Sequence, residues 1–234
     1  MERKIFTIAG VERNGGEIKV FTLSPDDGKN ITFKAGQFAM LFQLEGNNFG
    51  KLSRPYSIAS SPLEPELRFA IKMTGGQFTS ILDKMKPGEQ LGVAAPFGHF
   101  AYEGEDKVIF LAAGTGVAPM LGMLEYIAQA KKTGRFTLVY SSKREEWIGC
   151  MPALGRLQAA NPGIKVIYTL TQEQPASWKG ELGRINEKMV AKHADYAKDA
   201  AVFVCGPVEF SKTMKETMLK LGAEEKKIKV EAWG

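Results

Sequence analysis

The stretch Lys107-Val108-Ile109-Phe110-Leu111-Ala112-Ala113-Gly114-Thr115-Gly116-Val117-Ala118-Pro119-Met120 constrains the fold of this chain more than any other. Residues 108–112 form a continuous apolar run, the pattern of a strand buried on both faces of a parallel sheet. Gly114 and Gly116 let the backbone turn tightly and approach a ligand closely. A helix begins near Val117, with its unpaired N–H groups facing the turn. Such a helix start favours an anionic group, most naturally a phosphate. Two readings follow: a cradle for a dinucleotide pyrophosphate at the C-terminal edge of a parallel sheet, or an ordinary strand–turn–helix connection. The full G-x-G-x-x-G fingerprint is absent, because Pro119 stands where its third glycine belongs.

Beyond residue 104, strands and helices alternate. The predicted order is a helix from Val117 to about Lys131, a strand at 136–140, a helix at 153–160 and a strand at 164–170. A helix at 185–193, a strand at 201–205, a helix from Pro207 and a strand at 227–233 complete it. Phe210, Met214, Met218 and Leu221 share one face of the helix after Pro207 and read as core. This alternation implies a doubly wound parallel sheet. Residues 1–100 read differently. Strands at 4–9, 17–23, 38–42, 57–59, 67–72 and 90–94, with a hairpin signal at Asn14-Gly15-Gly16, suggest an antiparallel six-stranded barrel. Within it Phe78, Ile81, Leu82 and Met85 recur at helical spacing just after Gly75-Gly76, a second helix start suited to a phosphate. The expected domains are 1–102 and 103–234.

Composition excludes several classes. No stretch is long and apolar enough to span a membrane, and the N-terminal residues lack the apolar core of a secretory signal. The two cysteines, Cys150 and Cys205, are too few for a four-cysteine cluster or zinc site and suit a reducing compartment, so a cytoplasmic location is expected, with no metal. The net charge of +5 is dispersed, which argues against a nucleic-acid surface but suits an acidic protein partner.

Arg54-Pro55-Tyr56-Ser57, followed by small residues, resembles the flavin motif of the ferredoxin–NADP reductase superfamily. Its chemistry is coherent. A tyrosine ring stacks on an isoalloxazine, a serine hydroxyl bonds its polar edge, and an arginine grips a phosphate. Gly75-Gly76-Gln77-Phe78-Thr79 is similar to the family's second flavin segment, which holds the flavin pyrophosphate. Gly36-Gln37-Phe38 and Pro96-Phe97-Gly98 match its barrel segments. Gly114-Thr115-Gly116-Val117-Ala118-Pro119 matches its nicotinamide-nucleotide turn, and Cys205-Gly206-Pro207 resembles the segment beside the nicotinamide. The motifs keep the family's order across nearly the whole chain.

The resemblance implies a flavin-binding barrel followed by a Rossmann-like NAD(P)-binding domain. It also implies FAD as cofactor, NAD(P)H as co-substrate, and hydride transfer between nicotinamide C4 and flavin N5. Ser57 is expected near N5 and Cys205 against the nicotinamide. Glu231 and Trp233 resemble the family's C-terminal Glu-x-Tyr, with Trp replacing Tyr and Gly234 following. Ile71 and Lys72, on the barrel strand before the second flavin segment, are expected at the cofactor. For the nucleotide, Ser142 and Arg144 in Ser141-Ser142-Lys143-Arg144 form a candidate phosphate clamp, to which Arg184 adds. Against it, Thr171-Gln172-Glu173 lacks the arginine of NADP-specific members, and Trp178-Lys179-Gly180 resembles the NADH-using branch. The choice between NADH and NADPH stays open. The expected acceptor is a small acidic redox protein, ferredoxin or flavodoxin, or a partner oxidoreductase subunit. A free-flavin reductase and a non-catalytic nucleotide-binding regulatory module are the alternatives.

Overall fold

The computed structural model describes residues 1–233. The first half builds an antiparallel sheet from β1 (Glu2–Arg13), β2 (Ile18–Pro25), β3 (Phe38–Glu45), β4 (Asn48–Ser57), β5 (Leu67–Lys72) and β6 (Gln90–Phe97). Its strand order is β4-β3-β6-β1-β2-β5. Alternation along the strands sends Phe6, Ile8, Phe21, Leu23, Leu41, Phe69 and Val93 to one interior cluster. Irregular registers at Ile8/Gly10, Phe38/Met40 and Phe42/Leu44 bend the sheet, bringing its edges β4 and β5 round to face each other. The chain just past β4 closes the gap: Ala59 N–H donates to the Arg68 carbonyl at 2.7 Å, and Arg68 N–H donates to Ser60 Oγ at 3.0 Å. The one short helix of this half, α1 (Gln77–Leu82), lies between β5 and β6.

The predicted strand at 57–59 ends where it was expected to begin, since β4 runs from Asn48 to Ser57. Its polar residues and Pro55 hide it from a search for alternating apolar positions, and proline is tolerated because β4 is an edge strand.

The second half is a parallel sheet of β7 (Lys107–Ala113), β8 (Arg135–Ser142), β9 (Ile164–Leu170), β10 (Glu181–Leu182), β11 (Ala201–Pro207) and β12 (Ile228–Trp233). Its order is β10-β9-β8-β7-β11-β12. Strand β7 divides its side chains between the two faces. Val108, Phe110 and Ala112 join the cluster under α2 (Val117–Gln129) and α3 (Met151–Ala160). Ile109 and Leu111 join the opposite cluster under α4 (Glu187–His193) and α5 (Val208–Lys220), which takes Met214 and Met218 as core. Winding therefore reverses between β7 and β11, and the crevice beyond their C-terminal ends is where such sheets bind ligands. A single 3-10 turn, Gly114–Gly116, separates β7 from α2. Helix α4 starts at Glu187 rather than 185, because Asn186 caps it by accepting Met189 N–H at 3.0 Å. The two-residue strand β10 has no periodic signal in the sequence.

Candidate active site

Two cavities meet at the crevice between the halves. The first, of about 370 Å³, opens at the gap between β4 and β5. Arg54, Pro55, Tyr56 and Ser57 form one wall, and Ile71 and Lys72 form another. Gly76, Gln77, Phe78 and Thr79 supply its end, and Thr115 and Trp233 reach in from the second half. Tyr56 and Phe78 present tilted rings with centroids 6.0 Å apart. Burial pushes the Tyr56 phenol up to about 12, against the opposing pull of Arg54, so it remains a hydrogen-bond donor at neutral pH. No side chain caps the first turn of α1, which leaves its N–H groups open to a ligand's oxygens. Aromatic faces, a guanidinium, an ammonium and open N–H groups on one cleft form a donor set that fits a flavin nucleotide.

The second cavity, of about 770 Å³, lies beyond the ends of β7, β8 and β11. Gly114 and Thr115 form its floor, and Ser142, Lys143 and Arg184 stand around it with Thr171. Pro207, Phe210 and Trp233 close the other side. Lys72, Thr115 and Trp233 line both cavities. A separate hollow of about 410 Å³ around Tyr168, Trp178 and His193, at the β9–β10 edge, holds none of the flavin or nucleotide-turn motif residues.

Several predicted residues line neither cavity. Gly116 is buried so close to β11 that a Cβ there would lie 2.0 Å from the Cys205 carbonyl oxygen. Cys205 is fully buried, and its thiol donates toward Glu231 Oε2 at 4.0 Å. Burial first, and the Glu231 charge second, push that thiol well above its usual range. Burial likewise raises the Glu231 carboxyl. Pro119 is buried in the first turn of α2, and Gly206 is buried beside Phe210. Gly75 is exposed, with a positive φ of 73° at the bend before α1. Arg144 is turned to the Trp147 ring, 5.3 Å away, and to Glu146 at 3.8 Å. Gly234 lies outside the described residues.

The tip of the β1–β2 hairpin forms a wall of the second cavity that sequence reasoning missed. Gly15, Glu17 and Ile18 line it, and Glu17 pairs with Lys72 at 3.2 Å. Gly16 N–H donates to the Glu146 carbonyl at 2.8 Å, and Asn14 Oδ1 accepts Cys150 N–H at 2.7 Å. A Cβ at Gly15 would sit 2.4 Å from the Ile148 carbonyl oxygen. The glycine pair was legible as a turn signal, whereas its close approach to the other half had no local sign.

Residues 6–102 match the oxidoreductase FAD-binding domain family, and residues 110–216 match the oxidoreductase NAD-binding domain family. The chain belongs to the ferredoxin–NADP reductase superfamily of flavin-dependent oxidoreductases. FAD and a nicotinamide nucleotide are the cofactors of these two domains. Among relatives of this family member, NADH-cytochrome b5 reductase 2 of Mycosarcoma maydis is 33% identical over 163 residues, covering 66% of this chain and 46% of that protein. Ferredoxin–NADP reductase B of Sorangium cellulosum is 29% identical over 219 residues, 88% of each chain. The FAD/NAD-binding domain of the nitric oxide dioxygenase of Vibrio cholerae shares the fold, with a TM-score of 0.88 at 23% identity over 99% of this chain and 98% of that one. The chain spans about half the length of several curated relatives it matches. Among the described residues, no helix is long and apolar enough to cross a membrane.

Proposed function

We propose that the chain is an FAD-dependent NAD(P)H oxidoreductase that exchanges electrons with a separate acceptor. Bound FAD supplies an N5 position that exchanges hydride with nicotinamide C4. The observation that carries this reading is the shared wall, since Lys72, Thr115 and Trp233 border both the flavin cleft and the nucleotide cavity. Two ring systems seated in them meet at those residues, and holding them in contact is the protein's main catalytic contribution. Residues 1–102 hold FAD, with Tyr56 stacking, Ser57 bonding the polar ring edge, and Arg54 with the Gly75–Thr79 segment gripping the phosphate-bearing tail. Residues 103–234 hold the nucleotide on Gly114 and Thr115, with Gly116 packing that turn against β11. Trp233, on the wall common to both cavities, would cover the ring of a bound flavin, and Cys205 and Glu231 back that position.

With Arg144 engaged by Glu146 and Lys72 by Glu17, Lys143 and Arg184 are the remaining cations on the wall of the nucleotide cavity, near Ser142 and Thr171. They are the candidate grip on a 2′-phosphate. Replacing either by alanine should raise the KM for NADPH about tenfold, the loss of one charge-assisted hydrogen bond, and leave that for NADH within twofold. The net charge of +5 supports an acidic ferredoxin or flavodoxin, or a partner subunit, as acceptor. Two unpaired, buried thiols support a reducing compartment, the cytoplasm.

The test is the visible spectrum of the purified protein and its anaerobic bleaching by NADH and NADPH. Bound flavin bleached by at least one nucleotide is expected. A bound flavin that neither nucleotide reduces sinks the reading, and a colourless protein that reduces added flavin points to the free-flavin reductase.

A further inference from the structure

Glu125 lies in the middle of α2 and is the one charged residue among the buried polar side chains of the described residues. Its partners are on the other half of the molecule. Glu125 Oε2 accepts Arg68 Nη2 at 2.6 Å and Ser61 N–H at 3.2 Å. Two further residues of the same helix face make the same crossing. A Cβ at Gly122 would lie 2.8 Å from the Ile58 carbonyl oxygen and 2.9 Å from that of Ser60, so helix and barrel backbone are in direct contact there. Gln129 Nε2 bonds the Glu64 carboxylate. The segment they grip follows Ser57 directly, and Arg68 is the residue that closes the barrel on Ala59 and Ser60. At its other end, α2 begins at the Gly114–Gly116 turn and sends Ala118 to the flavin cleft.

We propose that the Glu125–Arg68 pair is a positioning latch that fixes the nucleotide turn, through α2, against the end of the flavin strand. This rests on the hydride-transfer reading, which needs two rings held in near contact across the domain boundary. A buried ion pair is a poor source of stability, because removing two charges from water offsets most of their attraction. Its yield here is alignment, since a rigid helix carries the geometry of Arg68 to Thr115. Arg68 and Glu64 from the barrel, and Cys150 at the head of α3, are the titratable or charged neighbours. Burial raises the Glu125 carboxyl to about 7, against the pull of Arg68 and the Ser61 N–H. The latch is thus in its ionised form above neutrality and takes a proton below it.

The test uses the FAD-loaded full chain carrying Glu125→Gln, which keeps the shape and one acceptor but removes the charge. Four results are expected. The melting temperature at pH 8 is equal to or above that of the wild type. The nucleotide Kd stays within twofold. The limiting rate of flavin reduction falls about tenfold or more, as small misplacements do, and lacks the decline on the acid side of neutrality that the latch predicts for the wild type. Amide exchange at residues 58–61 and 117–129 accelerates. Arg68→Lys, which keeps one charged donor, should retain most of the rate, whereas Arg68→Met should not. An unchanged rate with unchanged exchange overturns the proposal, as does a rate loss accompanied by an equal loss of FAD and of melting temperature. If neither nucleotide reduces even the wild type, the hydride-transfer reading fails, while the exchange at 58–61 still decides whether Glu125 holds the two halves together.

Discussion

Gly116→Ala isolates the placement of the nucleotide turn. Gly116 has φ −61° and ψ −10°, a conformation alanine adopts freely, so backbone strain plays no part. The added Cβ would lie 2.0 Å from the Cys205 carbonyl oxygen, 2.5 Å from its carbon and 2.8 Å from the Trp233 ring. The first two are atoms of a central parallel strand and cannot swing aside. Relief to an ordinary contact requires the turn to move by about 1.4 Å, and overpacking of this kind costs about 1–3 kcal/mol. The same displacement carries Thr115, which with Trp233 borders both cavities. A shift of about 1 Å in a reacting geometry costs about a hundredfold in rate. Anaerobic stopped-flow reduction of the FAD-loaded variant by NADH or NADPH should show that loss, with flavin content unchanged because Arg54, Tyr56 and Thr79 are untouched. Gly114→Ala is the control. Its φ of +56° makes alanine cost about 1–2 kcal/mol, but its Cβ meets nothing within 4 Å and enters the open cavity, so it should act on nucleotide affinity. A Gly116→Ala enzyme that keeps its flavin and reduces it within threefold of the wild-type rate would refute the assignment of this turn.

Ser57→Ala should slow flavin reduction about tenfold, the value of one hydrogen bond to the ring, with little change in melting temperature; an unchanged rate removes Ser57 from the site. Arg54→Ala should weaken FAD retention by about 1.5–3 kcal/mol, read by dialysis and absorbance, because the guanidinium is exposed at the cleft and, among the described residues, bonds only the Ser53 carbonyl. Glu125 has a folded pKa raised from 4.5 to about 7, so its contribution to stability is greatest below 4.5 and is lost as pH rises through 7. At about 1.4 kcal/mol for each tenfold change in proton affinity, the stability of Glu125→Gln relative to wild type should grow by about 3 kcal/mol between pH 4.5 and 8 in denaturant melts; a gap independent of pH contradicts the burial of that charge.

Most of the fold was legible because its elements are periodic. The β7 run, the Met214–Met218 face of α5 and the alternation of β2 each reflect a local pattern that burial imposes. What escaped was set by contacts distant in sequence. β4 is an exposed edge strand with Lys51, Arg54 and Pro55, and only its pairing with β3 makes it a strand. The candidate site divides in the same way. Arg54, Tyr56, Thr79 and Thr115 could be read because each belongs to a short motif with its own chemistry. Glu17 and Gly15 could not, because their place at the nucleotide cavity depends on where a hairpin tip lands on the other half. Glu125 is the single charged residue of the largely apolar α2, and only Arg68 and Ser61 across the boundary explain its burial.

Pro119 illustrates the same division. In the common dinucleotide fingerprint the third glycine lets the helix pack closely on its own sheet. Here that position holds a proline, buried in the first turn of α2, where its missing N–H costs no helical hydrogen bond. The need for a close approach has not vanished, but it falls on two other glycines. Gly116 meets β11 at Cys205, and Gly122, one turn beyond Pro119, meets the barrel at Ile58 and Ser60. A helix that packs by glycine onto a neighbouring domain serves two masters: its start shapes the nucleotide turn and its middle is set by the flavin half. Gly116 and Gly122 thus flank Pro119 on one stretch of chain whose start borders the flavin cleft and whose middle touches the barrel.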